Sequence, residues 1–514
     1  MQNAPKLLRA SSSLYIFCKL NDIIIMNRFC ISSALCTLLC FTFGFNAVHA
    51  EESKVDMSKC ITLTVKQGAK IKLNFAAPTT GVWVKIIGVE NEKEKEAPTE
   101  RHVWYDQYEY LATNTEIKVY GAIDEFICSG NKENLTAIDV SQNVKLTKLI
   151  CMDNQLSSLD VTKNRELTYL KCSSNQLSIL DVTKNIKLTY LGCSYNYSLS
   201  SLDVTKNREL TYLECSWCDL SSLDITKNKN LTVLECYVNH LSSLDITKNV
   251  NLTELKFASN WLDRLDITKH LNLTVLSCGR NRLSNLDVTQ NVNLKELSCY
   301  GNHLSSLDVT QNVNLKELSC YENHLSSLDV TQNVNLKELN CRDNQLSSLN
   351  VTKNLNLEEL RCDKNRLSSL DVTQNVNLKE LNCRDNQLSS LNVTQNVNLT
   401  KLDCASNHLS NLDISQNVKL SKFWIYSNNF STSTLNSIYC QLPDQIGKTE
   451  KGFIYPANKK GDVLDELLVR STSQAIIEGK NWAIQYYEGN TDIEDISGNH
   501  VCSSTYGLTT GDAL

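Results

Sequence analysis

The sequence predicts a repeat solenoid in which short coils stack and a single parallel β-sheet runs along the stack. Three observations carry that prediction. Cysteine recurs at Cys151, Cys172, Cys193, Cys215, Cys236, Cys278, Cys299, Cys320, Cys341, Cys362, Cys383 and Cys404, nearly always 21 residues apart, and Phe257 fills the one double step. Leucines recur in the same register, and a Leu-Asp-Val-Thr-x-Asn run closes most coils. Cys128 opens the series 23 residues early and Ile425 closes it, so residues 125–430 hold about fifteen coils. A fixed period of this length marks units that bury their apolar faces only against one another.

One coil sets the local geometry. From Leu294 the apolar positions are Leu294, Leu297, Cys299, Leu304, Leu307, Val309 and Val313, and all seven are expected inside. Leu297 and Cys299 are two apart, the period of a strand, so Glu296, Ser298 and Tyr300 face outward. A single coil buries too little to offset the entropy of ordering its backbone, which makes stacking obligatory. Asn302 stands where the chain leaves the strand, placed to bond backbone groups of its own coil and its neighbour. The return path is too short for a full helix and should be extended or 3₁₀. Leu-x-x-Leu-x-Cys-x-x-Asn-x-Leu is the leucine-rich-repeat pattern, with cysteine in a slot usually held by an aliphatic residue. The expected architecture is therefore a right-handed leucine-rich-repeat horseshoe, its parallel sheet on the concave face.

The cysteines read as packing. Equivalent Cα atoms in adjacent coils stand ~4.8 Å apart, yet parallel Cβ vectors hold the Cβ atoms at that spacing, beyond the roughly 3.5–4.5 Å a bridge needs. A line of inward thiols also cannot form a zinc tetrahedron. A buried cysteine behaves as a small hydrophobe. Cys218 replaces the turn asparagine in one coil.

Twenty-one-residue repeats of the form L-x-x-L-x-C-x-x-N-x-L-x-x-L-D-V-[TS]-x-N resemble the internalin J type of bacterial surface protein and related repeat proteins of the Bacteroidota. The resemblance covers about residues 125–430. It implies a bacterial adhesin or surface-recognition protein, acting in host attachment or biofilm and cell–cell contact. The sequence departs from that type in lacking a Leu-Pro-x-Thr-Gly motif, and its N-terminal flank is not the expected helical cap.

The flanks complete the organisation. Residues 1–50 read as leader and signal peptide with the true start at Met26: Asn27-Arg28, an apolar run from Ile31 to Phe45, then Ala47-Val48-His49-Ala50. The mature chain is expected to begin at Glu51 and to be secreted or held at the cell surface, without a membrane span. Residues 51–124 form a β-rich cap, with alternating segments at 61–65, 71–75, 82–86 and 117–119 and a charged loop at 91–96. Residues 431–514 form a mixed α/β cap and tail, with helices near 435–442 and 473–479 and a strand at 482–486. Cys440 and Cys502 lie outside the cysteine series and could pair.

The outward rows hold the candidate ligand site. Tyr169, Tyr190 and Tyr212 stack in one row, followed by Glu296, Glu317 and Glu338. Tyr237, Tyr300, Tyr321 and Arg342 follow the cysteines, while Tyr195, Trp217 and Trp261 lie just beyond the strand. Stacked aromatics are enriched at protein interfaces, although aromatic pairs across strands also serve stability alone. The glutamate row suits a cationic partner or reflects recent duplication, since 336–352 and 378–394 are identical.

A net charge of −6 gives no basic patch for nucleic acid. No H-E-x-x-H, G-x-S-x-G, P-loop or G-x-G-x-x-G is present, so no enzyme, metal or cofactor is expected. Three functions remain: a monomeric protein-binding adhesin using the concave face, a glycan-recognition protein using its aromatics, or a structural surface-matrix protein without a discrete ligand.

Overall fold

The computed structural model describes residues 54–99, 107–458, 468–487 and 502. The leader and the proposed cleavage point before Glu51 lie outside them. Fifteen three-residue strands, from Glu125–Ile127 through Glu296–Ser298 to Lys422–Trp424, form the repeat. Each pairs in parallel with the next, in unbroken register: Glu296, Leu297 and Ser298 stand beside Glu317, Leu318 and Ser319. Two further strands, Gly452–Ala457 and Trp482–Tyr486, continue the same sheet in parallel beyond the last coil.

The interior is one continuous core. The middle residue of each strand, Leu297 or its equivalent, and the residue two further on, a cysteine such as Cys299 except at Phe257 and Ile425, are fully buried in every coil. All twelve cysteines of the 21-residue series are free thiols. Burial in an apolar stack pushes them up, to about 12 at Cys236 and Cys278, so they stay protonated and inert.

Polar side chains lock the coils together. Asn302 Nδ2 donates to the Cys299 carbonyl of its own coil at 3.0 Å and to Cys278 of the previous coil at 3.1 Å. Its Oδ1 accepts from the Leu283 amide at 3.0 Å. A second asparagine ladder was not foreseen from the sequence. Asn312 is fully buried, and its Nδ2 donates at 2.9 Å to both the Val288 and Asn291 carbonyls. His270 takes that slot in one coil, its Nε2 lying 3.1 Å from the Ile246 carbonyl. Between the ladders, Asp287 Oδ1 accepts from the Thr289 amide and hydroxyl at 2.9 and 2.6 Å, which holds its carboxyl below the usual range.

One expectation about the coil is narrowed and one changes. Among the described residues the return path holds no 3₁₀ helix. It is extended and then turns twice, with Asn312 N–H bonded to the Val309 carbonyl and Leu315 N–H to that of Asn312. Val313 is also not inside but 45% exposed. Those successive turns point Asn312 inward and leave the next side chain outside, so the amide occupies the buried place that hydropathy assigns to valine.

The ends of the sheet are covered differently. At the N-terminus an antiparallel sheet is ordered Lys93–Glu96, Trp83–Ile87, Glu116–Tyr120, Cys60–Val65 and Leu135–Asp139. The charged segment expected as a loop is thus an edge strand. Backbone bonds to Trp83–Ile87 define it, and its lysines and glutamates suit an edge open to water. Leu135–Asp139 belongs to the return path of the first coil, which ties cap and repeat together. Asn74–Ala76 pairs antiparallel with Glu125–Ile127 and closes the first coil's open edge.

At the C-terminus a helix spans Thr432–Gln441, capped by Ser431, whose side chain accepts the Thr434 amide. A second helix spans Gln474–Glu478. Cys440 and Cys502 are joined by a disulfide. No helix among the described residues is long and apolar enough to cross a membrane.

Candidate ligand-binding face

Every repeat strand turns two side chains outward, and the residue after its cysteine adds a third. The result is three parallel rows of side chains on one face of the sheet. The following residue sits in left-handed backbone in coil after coil, among them Tyr195, Trp217 and Val238 at φ 58°, 53° and 54°. Bulky side chains resist that conformation, so three in succession mark a stretch that departs from the repeat's own preference.

In the early coils the rows are aromatic and internally satisfied. Tyr169 and Tyr190 stack with centroids 4.1 Å apart, and Tyr190 and Tyr212 at 4.7 Å. The Tyr190 hydroxyl donates to Glu214 at 3.2 Å and that of Tyr212 to Glu235 at 3.3 Å. Lys171 and Lys256 approach the same two carboxylates at 3.7 and 3.1 Å. All three tyrosines are half-buried and pushed above their ordinary range, first by burial. Tyr237, in the next row, is raised to about 12 for the same reason.

Beyond the strands a second aromatic group is more open. Tyr195 stacks on Trp217 at 5.9 Å, and Tyr197 stands edge-on to both. Trp261 lies against His240 at 4.7 Å, with the Arg282 guanidinium over its indole.

The middle coils carry Glu296, Glu317 and Glu338 side by side. Glu317 is pushed up by burial and then by its two glutamate neighbours. Beside them Tyr300 and Tyr321 stack at 4.6 Å. Gly279 makes room for that pair, because a Cβ there would stand 2.5 Å from the Tyr300 ring.

The late coils form a hollow of about 540 Å³. Arg342, Arg361, Asp363, Lys401, Asp403, Trp424 and Tyr487 are among the residues that line it. Arg342 pairs with Asp363 at 3.2 Å, Arg361 with Glu359 at 2.6 Å, and Arg384 with Asp385 at 3.2 Å. The Arg384 guanidinium also lies over Tyr487 and Tyr426, at 4.8 and 5.3 Å. Trp424 stacks on Tyr455 at 5.1 Å. Asp363 is only 5% exposed. Burial also raises Asp403 to about 7, although Arg384 and the Ala405 amide pull it down. Charge, hydrogen-bonding capacity and aromatic surface thus converge at one place.

This geometry has a counterpart of known structure. The functional domain of internalin J from Listeria monocytogenes, which includes a cysteine ladder, is 31% identical with a TM-score of 0.61, across 68% of this chain and 78% of that one. The chain belongs to the internalin family of cysteine-ladder leucine-rich-repeat proteins. A leucine-rich-repeat protein of Leptospira interrogans is 28% identical with a TM-score of 0.54, across 59% of this chain and 84% of that one. No family model and no curated protein matches the sequence.

In this internalin-like solenoid the structure gathers the sequence-derived candidates into separate groups. The Tyr169, Tyr190 and Tyr212 stack, the Tyr195 and Trp217 group, the Trp261 position and the glutamate row occupy successive or offset places. Arg342 and Tyr321 alone among those candidates line the hollow. The sequence places Asp363 and Arg384 in the row after the cysteines with Arg361 nearby, but does not gather them with Asp403 into one cluster. Their signal was available: they break the Ser and Tyr pattern of the preceding coils at outward positions. Trp424, Tyr455 and Tyr487 carried no such signal, because the C-terminal strands that bring in the last two lie outside the repeat.

Proposed function

We propose that this internalin-like chain is a secreted or cell-surface protein-binding protein, a bacterial adhesin, and that its protein ligand seats in the hollow between Tyr321 and Tyr487. The observation that carries the reading is the convergence of Arg342, Arg361, Trp424 and Tyr487 on one recess, with the Arg384 guanidinium over the Tyr487 ring. Arginine, tyrosine and tryptophan are the residues that dominate binding energy at protein interfaces. The leader pattern before Glu51 supports export.

The test compares two triple variants in attachment of ligand-bearing cells or retention of a captured protein ligand. Arg361→Ala, Arg384→Ala and Trp424→Ala together should reduce retention by at least ~100-fold, the scale of losing two interface anchors. Tyr169→Ala, Tyr190→Ala and Tyr212→Ala together should change it little. The opposite ranking would move the site to the tyrosine stack.

A second reading is favoured by the open aromatic group. Tyr197 is 65% exposed and stands edge-on to the parallel Tyr195 and Trp217 rings, an open aromatic surface against which the apolar face of a sugar ring can lie. Glycan-array binding that disappears with Trp217→Ala and persists in the hollow variant would establish that reading instead.

A further inference from the structure

One row of the solenoid is apolar, exposed and unlike any binding row on the sheet. It comprises Val250, Leu271, Val292, Val313, Val334, Leu355, Val376, Val397 and Val418, one residue from each of nine consecutive coils. Every one of the nine is between 42% and 61% exposed. They sit on the outer side of the double turn that leads into each strand. At ~4.8 Å per coil the ridge is roughly 40 Å long. Nine half-exposed aliphatic side chains present on the order of 500 Å², at the upper end of what a soluble monomer leaves in one patch.

The surroundings of the ridge favour its burial. The residue after each ridge position is asparagine in eight of the nine coils. Its amide is already used: Asn314 donates to the Val292 carbonyl, Asn335 to Val313 and Asn356 to Val334, each at 3.1 Å. Removing water from that flank therefore strands few donors. On the other flank Gln290, Gln311, Gln332, Gln374, Gln395 and Gln416 stand in six of the nine coils, and Lys248, Lys269 and Lys353 in the other three. In the coils before Val250 the ridge position holds Val144, Arg165, Ile186, Arg208 and Lys229, so charges interrupt the aliphatic row there. Charge is thus thinned, to Lys248, Lys269, Lys353 and Lys419, where the ridge is continuous. Where the ridge residue varies, at Leu271 and Leu355, it stays aliphatic.

We propose that this ridge is the interface on which two copies of the chain associate. A row of knobs at one fixed pitch fits best against a row of the same pitch, and a second copy supplies it. From Val292 to Val397 the two flanking positions hold a single charge, Lys353, so little opposes like meeting like. With the glutamine and asparagine borders included, the buried surface approaches the roughly 800 Å² per partner of a standard interface. With the two-fold axis across the ridge, the two ridges run antiparallel. Full overlap then sets Val334 beside its own copy, Val313 beside Leu355, and Val250 beside Val418. The sheet face stays free on both copies, so this association is independent of the ligand site.

Sedimentation velocity on the full chain at micromolar concentration tests the proposal. The wild type should sediment as a dimer, and Val313→Lys, Val334→Lys and Val376→Lys together should weaken association by more than ~100-fold, since each buries a charge. The substituted side chains are exposed, so an unchanged circular dichroism spectrum separates lost association from lost folding. Under oxidising conditions Val334→Cys should yield a disulfide-linked dimer on a non-reducing gel, whereas Val250→Cys alone should not. A monomeric wild type, a triple variant that remains dimeric, or cross-linking through Val250→Cys alone overturns the proposal. So does a monomer that coats phosphatidylglycerol vesicles through these same valines.

Discussion

The early and late coils of the solenoid share an interior and differ almost everywhere outside it. Leu191 and Cys193 in one half are buried as completely as Leu318 and Cys320 in the other. Asn185 and Asn312 each bridge two carbonyls of the preceding coil. Outside, the early sheet rows carry tyrosines tied to glutamates, and the turns carry arginines and lysines. The late rows carry a mixed-charge hollow, and the turns carry valines between amides. What repeats is packing, and what varies is surface, so recognition belongs to the rows that break the repeat.

That contrast is open to attack, most strongly at the buried asparagines. Asn185→Ala and Asn312→Ala each orphan two buried carbonyls, so each should cost about 2–4 kcal/mol. Chemical denaturation should give the same loss in both halves. A clear difference would mean that the interiors are not equivalent.

Next in size are the thiols. Cys320→Ser places a hydroxyl in an apolar stack and should cost about 2 kcal/mol, while Cys320→Ala should cost nearer 1 kcal/mol for the lost sulfur contacts. A serine variant as stable as wild type would deny that the slot is apolar.

The late hollow should show itself through pH. Burial raises Asp403 to about 7, so the folded chain holds that proton more tightly than the unfolded one. The resulting stabilisation is complete below the ordinary carboxylate range and is lost as pH rises through about 7. Asp403→Asn, always neutral, should therefore melt about 2–4 °C above wild type at pH 8 and match it near pH 4. No early sheet row offers an equivalent. The smallest effect belongs to the tyrosine stack, where Tyr190→Phe removes one half-exposed hydrogen bond to Glu214 and should cost about 0.5 kcal/mol or less.

Much of this was legible in the sequence. The two-residue spacing of Leu297 and Cys299 fixes which strand side chains turn inward, and the period fixes the register between coils. Val313 misled because hydropathy ranks valine above asparagine, whereas the turn needs an amide inside to meet two carbonyls. Lys93–Glu96 misled because pairing depends on backbone groups that charge does not reveal. The hollow was hidden for a different reason. Its lining runs from Arg280 to Trp424 within the repeat, and the strands that stack beyond the last coil add Tyr487, which the period does not place.

The central claim is that every coil shares one dry interior and that its cysteines are packing, not chemistry. Counting reactive thiols in the folded and unfolded chain, without reductant, tests it most directly. From Glu51 onward, fifteen cysteines are free and buried, and Cys440 and Cys502 are bridged. Almost none should react in the folded chain, and all fifteen should react once it is unfolded. A count well below fifteen after unfolding would show the series to be oxidised and would contradict the account.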